Sequence, residues 1–130
     1  MSTRVGRAGE YLVACVLEQL GAQISVVHAD NFDLCAWVGD NIFRVEVKTA
    51  ADFDAQRPTT FHFKTRSGRD RRPLSHCDVV AFAALNLRRV HFRHVDLVRS
   101  TSTRVPGTQF SAQHELDSWL AATMRRTYQI

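Results

Sequence analysis

The sequence predicts a single α/β domain, residues 1–130, in which an N-terminal helix packs on a central mixed β-sheet and a second helix lies at the C-terminus. Apolar residues recur at helical spacing near both ends of the chain. Between these ends lie several short runs rich in β-branched and aromatic residues, which is typical of strands. A length of 130 residues supplies one hydrophobic core rather than two.

The first element is a helix that runs to about Leu20, where Gly21 ends it. Gly6 and Gly9 lower its intrinsic stability, so we expect them to permit close backbone packing. Glu10 falls at the margin of the apolar stripe, where it either reaches a neighbouring sheet or stays on the surface, and the pattern favours the surface. The side chains expected to be buried are Val5, Ala8, Leu12, Val16 and Leu20.

Residues 32–49 predict a β-hairpin. Both arms are rich in β-branched, aromatic and aliphatic residues, and the Gly39-Asp40 pair between them is a hairpin signal. With a two-residue turn at this pair, Asp33 faces Glu46 across the hairpin, and their β-carbons lie about 4.5–5.5 Å apart.

Two carboxylates so close together do not both ionise unless a cation lies between them. Lys48 follows Glu46 by two residues and therefore points to the same side of the strand. Asp33, Glu46 and Lys48 together indicate a divalent-metal site. The alternative is that Arg44, Glu46 and Lys48 form only the solvated face of an amphipathic strand. A register shifted by one residue would favour that alternative, because it sends a side chain to the other face.

Short strands are predicted at residues 23–28, before the hairpin, and at residues 60–65, after it. In the second of these, His62 and Lys64 lie on the polar side. Residues 66–73 form a loop that is either simply solvated or able to clamp the phosphate backbone of a nucleic acid. The four arginines of this loop are Arg66, Arg69, Arg71 and Arg72.

Residues 77–85 are almost continuously apolar and predict a buried, central strand. Another strand follows at residues 90–92, whereas residues 100–107 are expected to be an irregular connection. The last element is a helix from about Ser111 to Arg126. The side chains that we expect this helix to bury are Leu116, Trp119, Leu120 and Met124.

The composition is ordinary for a globular protein, with 45% hydrophobic and 23% charged residues. A formal net charge of +4 and a pI near 9.4 favour a polyanionic partner. No apolar run approaches the roughly 20 residues of a membrane span, and no signal peptide is evident, so no membrane association is expected. Three widely spaced cysteines fit buried thiols in a reducing cytoplasm: Cys15, Cys35 and Cys77.

Three stretches carry a resemblance to known proteins: Gly9-Glu10 on a helix, Phe32-Asp33-Leu34 on a strand, and Val45-Glu46-Val47-Lys48-Thr49 on the next strand. They resemble the PD-(D/E)xK nuclease superfamily, and in particular its small Holliday-junction resolvases and group I intron-encoded homing endonucleases. Strands similar to residues 77–82 and 90–92 also follow in the homing endonucleases. The resemblance covers roughly residues 5–95 and leaves the C-terminal helix outside. The proline of the family pattern is missing before Asp33.

This resemblance implies a restriction-endonuclease-like core and a Mg²⁺-dependent DNA endonuclease, with Mn²⁺ as a substitute ion. It implies that Asp33, Glu46 and the Val47 carbonyl bind the metal. Lys48 would act on the attacking water or on developing charge, and Glu10 would be an outer acid or a ligand of a second metal. The expected partner is duplex or branched DNA, bound by a homodimer, because cutting both strands takes two sites. The residues expected to contact DNA are His62, Lys64, Arg66, Arg69, Arg71 and Arg72.

Two other function classes remain open from the sequence. The first is a nucleic-acid-binding module on the same fold that cuts nothing. Its expected signature is loss of the acid pair or of Lys48, and neither is lost here. The second is a structural or partner-binding domain whose paired acids are accidental, which the basic loop at residues 66–73 disfavours.

Overall fold

A computed structural model describes residues 4–27, 32–65 and 76–127 of the chain. In these residues, α-helices α1 (Arg4–Gln19) and α2 (Ala112–Thr127) lie at the two ends. The strands between them are β1 (Gln23–Val26), β2 (Leu34–Val38), β3 (Asn41–Ala50), β4 (Thr60–Lys64), β5 (Val79–Ala84), β6 (Arg89–His94) and β7 (Ser102–Pro106). The loop arginines Arg66, Arg69, Arg71 and Arg72 lie outside the described residues.

Five of the strands form one sheet in the order β1-β2-β3-β5-β6. The β3–β5 pair is parallel, and the other neighbours are antiparallel. The sheet is therefore mixed, and the predicted α/β architecture with a helix at each end is confirmed. The other two strands, β4 and β7, pair antiparallel with each other and form a separate ribbon, the β4–β7 ribbon.

The expectation of an irregular connection at residues 100–107 is wrong, because β7 pairs with the whole of β4. Only Val105 is buried among the residues of β7. The strand therefore lacks the alternation of apolar and polar residues by which a half-buried strand is recognised in a sequence. Its pairing is decided by β4, whose Phe61 and Phe63 are buried and hold the ribbon against the sheet.

Each face of the five-stranded sheet has its own apolar core. On one face the sheet packs against α1 and α2, and this core includes Val45, Val47 and Trp119. On the other face it packs against the β4–β7 ribbon, through Phe82 and other residues of β5. All six residues of β5 are buried, since this strand is covered on both sides. The predicted central strand is confirmed.

The buried face of α1 is rotated from the predicted stripe. Val5 is exposed, as is Ala8, whereas Val16 is buried as predicted and Leu12 and Leu20 are partly buried. The other buried residues of the helix are Gly9, Glu10, Val13 and Leu17. The reason is a close approach of α1 to β3: a β-carbon on Gly9 would come within 2.8 Å of the Thr49 side-chain carbons. Gly9 thus permits close packing, as expected, and it brings its neighbour Glu10 into the interior.

The prediction for the buried face of α2 is correct only for Trp119. Leu116, Leu120 and Met124 keep 38%, 45% and 50% of their surface exposed, respectively. The helix packs instead through a line that contains polar residues, because Glu115 and Ser118 accept hydrogen bonds from the backbone of β6. An apolar periodicity does not reveal a face that is set by buried hydrogen bonds.

The cysteines differ from one another in burial. Cys77 is buried, as expected, and Cys35 is partly buried, but Cys15 is exposed on α1, so the expectation of three buried thiols is wrong. Cys15 falls on the outer side of the helix once the buried face is rotated toward Gly9 and Glu10. Neither described helix is long and apolar enough to cross a membrane.

Candidate active site

The candidate site begins with the register of the β2–β3 hairpin. Val38 pairs with Asn41 around a two-residue turn, in which Gly39 has a φ of 59° that glycine adopts without strain. The ladder ends at the Leu34–Val45 pair. One step further along, the Asp33 N–H donates to the Val45 carbonyl at 2.9 Å. The predicted register is confirmed, and it places Asp33 next to Glu46.

Asp33 is held by the backbone of the strand it faces. Its Oδ2 atom accepts a hydrogen bond of 2.8 Å from the Val47 N–H. Val47 lies beyond the last pair of the β2–β3 ladder, so the carboxylate takes the place of a strand partner for this N–H. The bond fixes the Asp33 carboxylate beside the segment of β3 that carries Glu46 and Lys48.

Glu46 and Lys48 point to the same side of β3, where Lys48 Nζ lies 3.4 Å from Glu46 Oε1. Both side chains are largely withdrawn from solvent, with 17% of Glu46 and 25% of Lys48 exposed. A partly buried ion pair is screened less by water and salt than one on the surface. The ammonium is therefore held at a defined position beside the carboxylate.

Burial and neighbouring charges together shift the pKa of Glu46. Burial, followed by the nearby Asp33 carboxylate, raises the pKa of Glu46 to about 7, although Lys48 opposes the shift. Glu10 raises it further. The three acids thus interact electrostatically, even though Glu10 comes from α1 and the other two from the hairpin.

Glu10 is buried, with 7% of its surface exposed. The sequence favoured a surface position, and that interpretation is wrong, because the contact of Gly9 with Thr49 turns this side of α1 toward β3. Thr49 directly follows Lys48, so α1 places its acid next to the segment of β3 that carries Glu46 and Lys48.

The donor set suits a hard divalent cation such as Mg²⁺ or Mn²⁺. The carboxylates of Asp33 and Glu46 and the Val47 carbonyl are all oxygen donors, which these ions prefer. Burial, and then the Asp33 charge, raise the pKa of Glu46, and a bound cation would favour the ionised carboxylate. Within the described residues, no group of three or more His, Cys, Asp or Glu side chains is arranged to hold a metal ion. The candidate set is accordingly two carboxylates and one backbone oxygen, with Glu10 further out.

The thiol of Cys77 lies near the acids, which the sequence analysis did not anticipate. Burial raises the pKa of Cys77 to about 12, and the charge of Glu46 adds to the effect. The thiol is therefore neutral at physiological pH and is not a thiolate ligand. Arg44, on the same side of β3, is committed to Asp78 through hydrogen bonds from its backbone N–H and its side chain.

The polar residues of β4 are not brought to the acid pair. Phe61 and Phe63 point into the core, so His62 and Lys64 lie on the outer side of the β4–β7 ribbon. There His62 is paired in register with Arg104, whose guanidinium forms an ion pair with Asp54. The expected DNA contacts of His62 and Lys64 thus require a substrate that reaches around the ribbon.

The architecture is that of a known endonuclease. The structure is similar to I-Ssp6803I, a bacterial homing endonuclease, with a TM-score of 0.72 and 13% sequence identity, over 96% of this chain and 95% of that chain. Such coverage includes α2, so the expectation that the C-terminal helix lies outside the resemblance is wrong at the level of the fold. No protein-family model matches the sequence, and no curated protein matches it with significance.

Proposed function

We propose that the protein is a Mg²⁺-dependent DNA endonuclease that hydrolyses phosphodiester bonds. The observation that carries the proposal is the convergence of Asp33 and Glu46 beside Lys48, on a strand whose register is set by a two-residue turn. The fold supports it, since a homing endonuclease has the same architecture. The net charge of +4 and the basic loop at residues 66–73 support a polyanionic substrate.

Asp33 and Glu46, with the Val47 carbonyl, would hold Mg²⁺, which when bound polarises the scissile phosphate and lowers the pKa of a water molecule. Lys48 is placed to donate hydrogen bonds to the phosphoryl oxygens or to the attacking water, where charge develops during hydrolysis. Glu10 would be an outer acid or a ligand of a second metal, and it adds negative charge from the side of α1.

The proposed substrate is duplex or branched DNA, cut by a homodimer in the cytoplasm. The site of one chain would hydrolyse one phosphodiester bond, with water as the nucleophile, so cleavage of both strands requires a second copy. Phosphate contacts are proposed for His62 and Lys64 on the ribbon and for the arginines of the loop at residues 66–73, because such contacts position DNA without reading its sequence.

The test is cleavage of supercoiled, linear and four-way-junction DNA with Mg²⁺, with Mn²⁺ and with EDTA. The wild-type protein should nick or cut DNA only when the metal is present. Asp33→Asn, Glu46→Gln and Lys48→Ala should each lower the single-turnover rate by about 10²-fold or more, the scale observed when one charge-stabilising group is lost from an active site. Cleavage that persists in EDTA or in the Glu46→Gln variant would refute the proposal.

Two features of the hairpin make the test specific. Asp33→Asn removes the charge but keeps an amide oxygen that accepts the Val47 N–H, so this variant should unfold at the wild-type temperature. Asp40→Asn removes a carboxylate from the exposed turn of the same hairpin and should leave cleavage unchanged. Loss of activity in both variants would point to a general charge effect rather than to chemistry at Asp33.

The alternative function is a nucleic-acid-binding module that cuts nothing. Salt-dependent binding to DNA without metal-dependent cleavage would establish it. In that case, Glu46→Gln should leave the affinity for DNA unchanged or raise it, since one negative charge is removed from the binding face.

A further inference from the structure

Arg93, on β6, lies in the same cross-strand row of the sheet as the candidate acid Glu46. Glu46 of β3 is paired with Val80 of β5, and Val80 is in turn paired with Arg93. Paired residues of neighbouring strands project from the same face of a sheet. Glu46 and Arg93 thus lie on one face, two strands apart, which corresponds to about 10 Å between their α-carbons.

The Arg93 side chain rests on Phe82. The guanidinium carbon lies 5.7 Å from the centre of the Phe82 ring, a distance typical of a cation–π contact. Phe82 is fully buried and is paired with Lys48 in the neighbouring strand β3. The guanidinium therefore packs on Phe82, the residue that lies directly beside Lys48. Because Phe82 is fully buried, it holds the guanidinium at a defined place.

Arg93 carries its charge in a partly buried place without a carboxylate partner. Burial lowers its pKa, and within the described part of the chain no acid pairs with it. Three other arginines of the described residues do have an acid partner: Arg44 has Asp78, Arg89 has Glu115 and Arg104 has Asp54. A half-buried cation without a counter-ion costs free energy that a bound anion would recover.

His91, the neighbour of Arg93 on the same face, does not serve as its counter-ion. Burial, and then the charge of Arg93, lower the pKa of His91 to about 4, so its ring is neutral at pH 7. Its Nδ1 atom is buried without a hydrogen-bond partner in the described residues. The His91 ring packs between Phe82 and Phe110, so on this face the Arg93 guanidinium, and not the His91 ring, is available to an anion.

We infer that Arg93 binds a phosphate group of the nucleic-acid strand that lies across the Asp33–Glu46 pair. This inference rests on the proposed function. A guanidinium offers paired donors that match two phosphate oxygens, and its flat face remains stacked on Phe82 while its edge binds. Lys48 contacts the phosphate at the metal, and Arg93 holds a phosphate further along the same strand. Arg93 is thus a substrate-positioning residue, and it touches no reacting atom.

The experiment measures DNA binding separately from cleavage. Arg93→Met keeps an apolar stem on Phe82 and removes the charge, whereas Arg93→Lys keeps the charge and loses the paired donors. Arg99→Ala is the matched control, because Arg99 is an exposed arginine whose side chain donates to the Asp96 carbonyl. Each change is made in the Glu46→Gln background, and fluorescence anisotropy follows the binding of a labelled duplex at several salt concentrations.

Arg93→Met should weaken binding about tenfold and lower the slope of log affinity against log salt by about one, the signature of one lost phosphate contact. Arg93→Lys should keep the slope and lose part of the affinity. The inference is overturned if Arg93→Met has the affinity and slope of Arg99→Ala, or if the protein binds no DNA at all. Comparable melting temperatures of the variants establish that the fold is intact.

The two proposals fail in different ways. If wild-type protein binds DNA but never cleaves it, and Arg93→Met still lowers the salt slope, the nuclease proposal falls while Arg93 remains a phosphate contact. If wild-type protein cleaves DNA and Arg93→Met cleaves it with an unchanged KM and rate, the nuclease proposal stands and the role of Arg93 is refuted.

Discussion

Asp33 serves the backbone and the site at once. Its carboxylate accepts the Val47 N–H and also raises the pKa of Glu46. An aspartate at this position therefore has a structural reason to be present as well as a chemical one. The two reasons separate in Asp33→Asn, which keeps the acceptor and loses the charge.

Because the pKa of Glu46 is raised, the free energy of unfolding should depend on pH when no metal is bound. Its value is about 7 in the folded chain, compared with an ordinary value of 4.5, so the folded state binds a proton more tightly than the unfolded state. Below the ordinary pKa this stabilisation is fully present, and it is lost as the pH rises through the folded value. Relative to Glu46→Gln, the wild-type protein should lose at most about 3–4 kcal/mol between these limits, since one pKa unit corresponds to about 1.4 kcal/mol.

The measurement is urea unfolding of both proteins in EDTA at a series of pH values. Mg²⁺ should stabilise the wild-type protein more at pH 8 than at pH 5, because the ligand is the ionised carboxylate, and it should stabilise Glu46→Gln little at either pH. Parallel pH curves for the two proteins would show that Glu46 does not titrate in this range.

At the residue scale, the sequence was sufficient to predict that Asp33, Glu46 and Lys48 lie together, because a two-residue turn fixes which residues face each other. It was insufficient for Glu10, since a helix has no turn to fix its rotation and the decisive contact of Gly9 is with a distant strand. Arg93 was missed for a related reason: alternation along β6 gives the face of a side chain but not the strands beside it.

At the scale of elements, α2 protects the edge of the sheet. Glu115 accepts a hydrogen bond of 2.9 Å from the Val90 N–H, and the Ser118 hydroxyl accepts one of 3.1 Å from the Phe92 N–H. Two α2 residues three positions apart thus bind two β6 residues two positions apart. An edge strand with unpaired N–H groups is a site for association with other strands, and here side chains of α2 occupy those groups.

Removing the Glu115 carboxylate should therefore be costly. Glu115→Ala leaves the buried Val90 N–H without a partner and the Arg89 guanidinium without its acid, so unfolding should become easier by about 2–3 kcal/mol. Glu115→Gln keeps an acceptor and should cost about half as much. Asp117→Ala on the exposed side of α2 is the control, with an expected change within about 0.5 kcal/mol. Equal melting temperatures for Glu115→Ala and Asp117→Ala would contradict this account.

Strands with a strong apolar pattern were predictable from the sequence, and β5 is the clearest case. Elements whose position depends on contacts with another segment of the chain were not predictable. The strand β7 has little apolar content of its own, and the packed side of α2 is defined by Glu115 and Ser118 rather than by its leucines. In both cases the deciding interaction is a hydrogen bond to a chain segment that is distant in sequence.

At the scale of the whole molecule, a single chain presents one Asp33–Glu46 pair, and the proposed cleavage of duplex DNA takes two. When wild-type protein is mixed with an excess of Glu46→Gln, most wild-type chains should be in mixed dimers, each with one competent site. Supercoiled plasmid should then accumulate as nicked circles, whereas wild-type protein alone gives linear DNA. Sedimentation of the free protein as one chain, with linear product from the mixture, would rule out a dimer with one site per subunit.

The general architecture was predictable because the pattern of a helix, a run of strands and a helix allows few arrangements that bury every apolar face. The β4–β7 ribbon was not predictable, since it joins segments that are far apart in the chain. It covers one face of the five-stranded sheet and so gives β5 its complete burial.

The contact between Gly9 and Thr49 has a consequence for the spacing of helix and sheet. Position 9 has no room for even a methyl group unless α1 withdraws from β3. Such a withdrawal would carry the neighbouring Glu10 outward while leaving every charge in place. The glycine thus sets how deeply Glu10 is buried, and a substitution there would change the distance of Glu10 from Glu46 without removing a charged group.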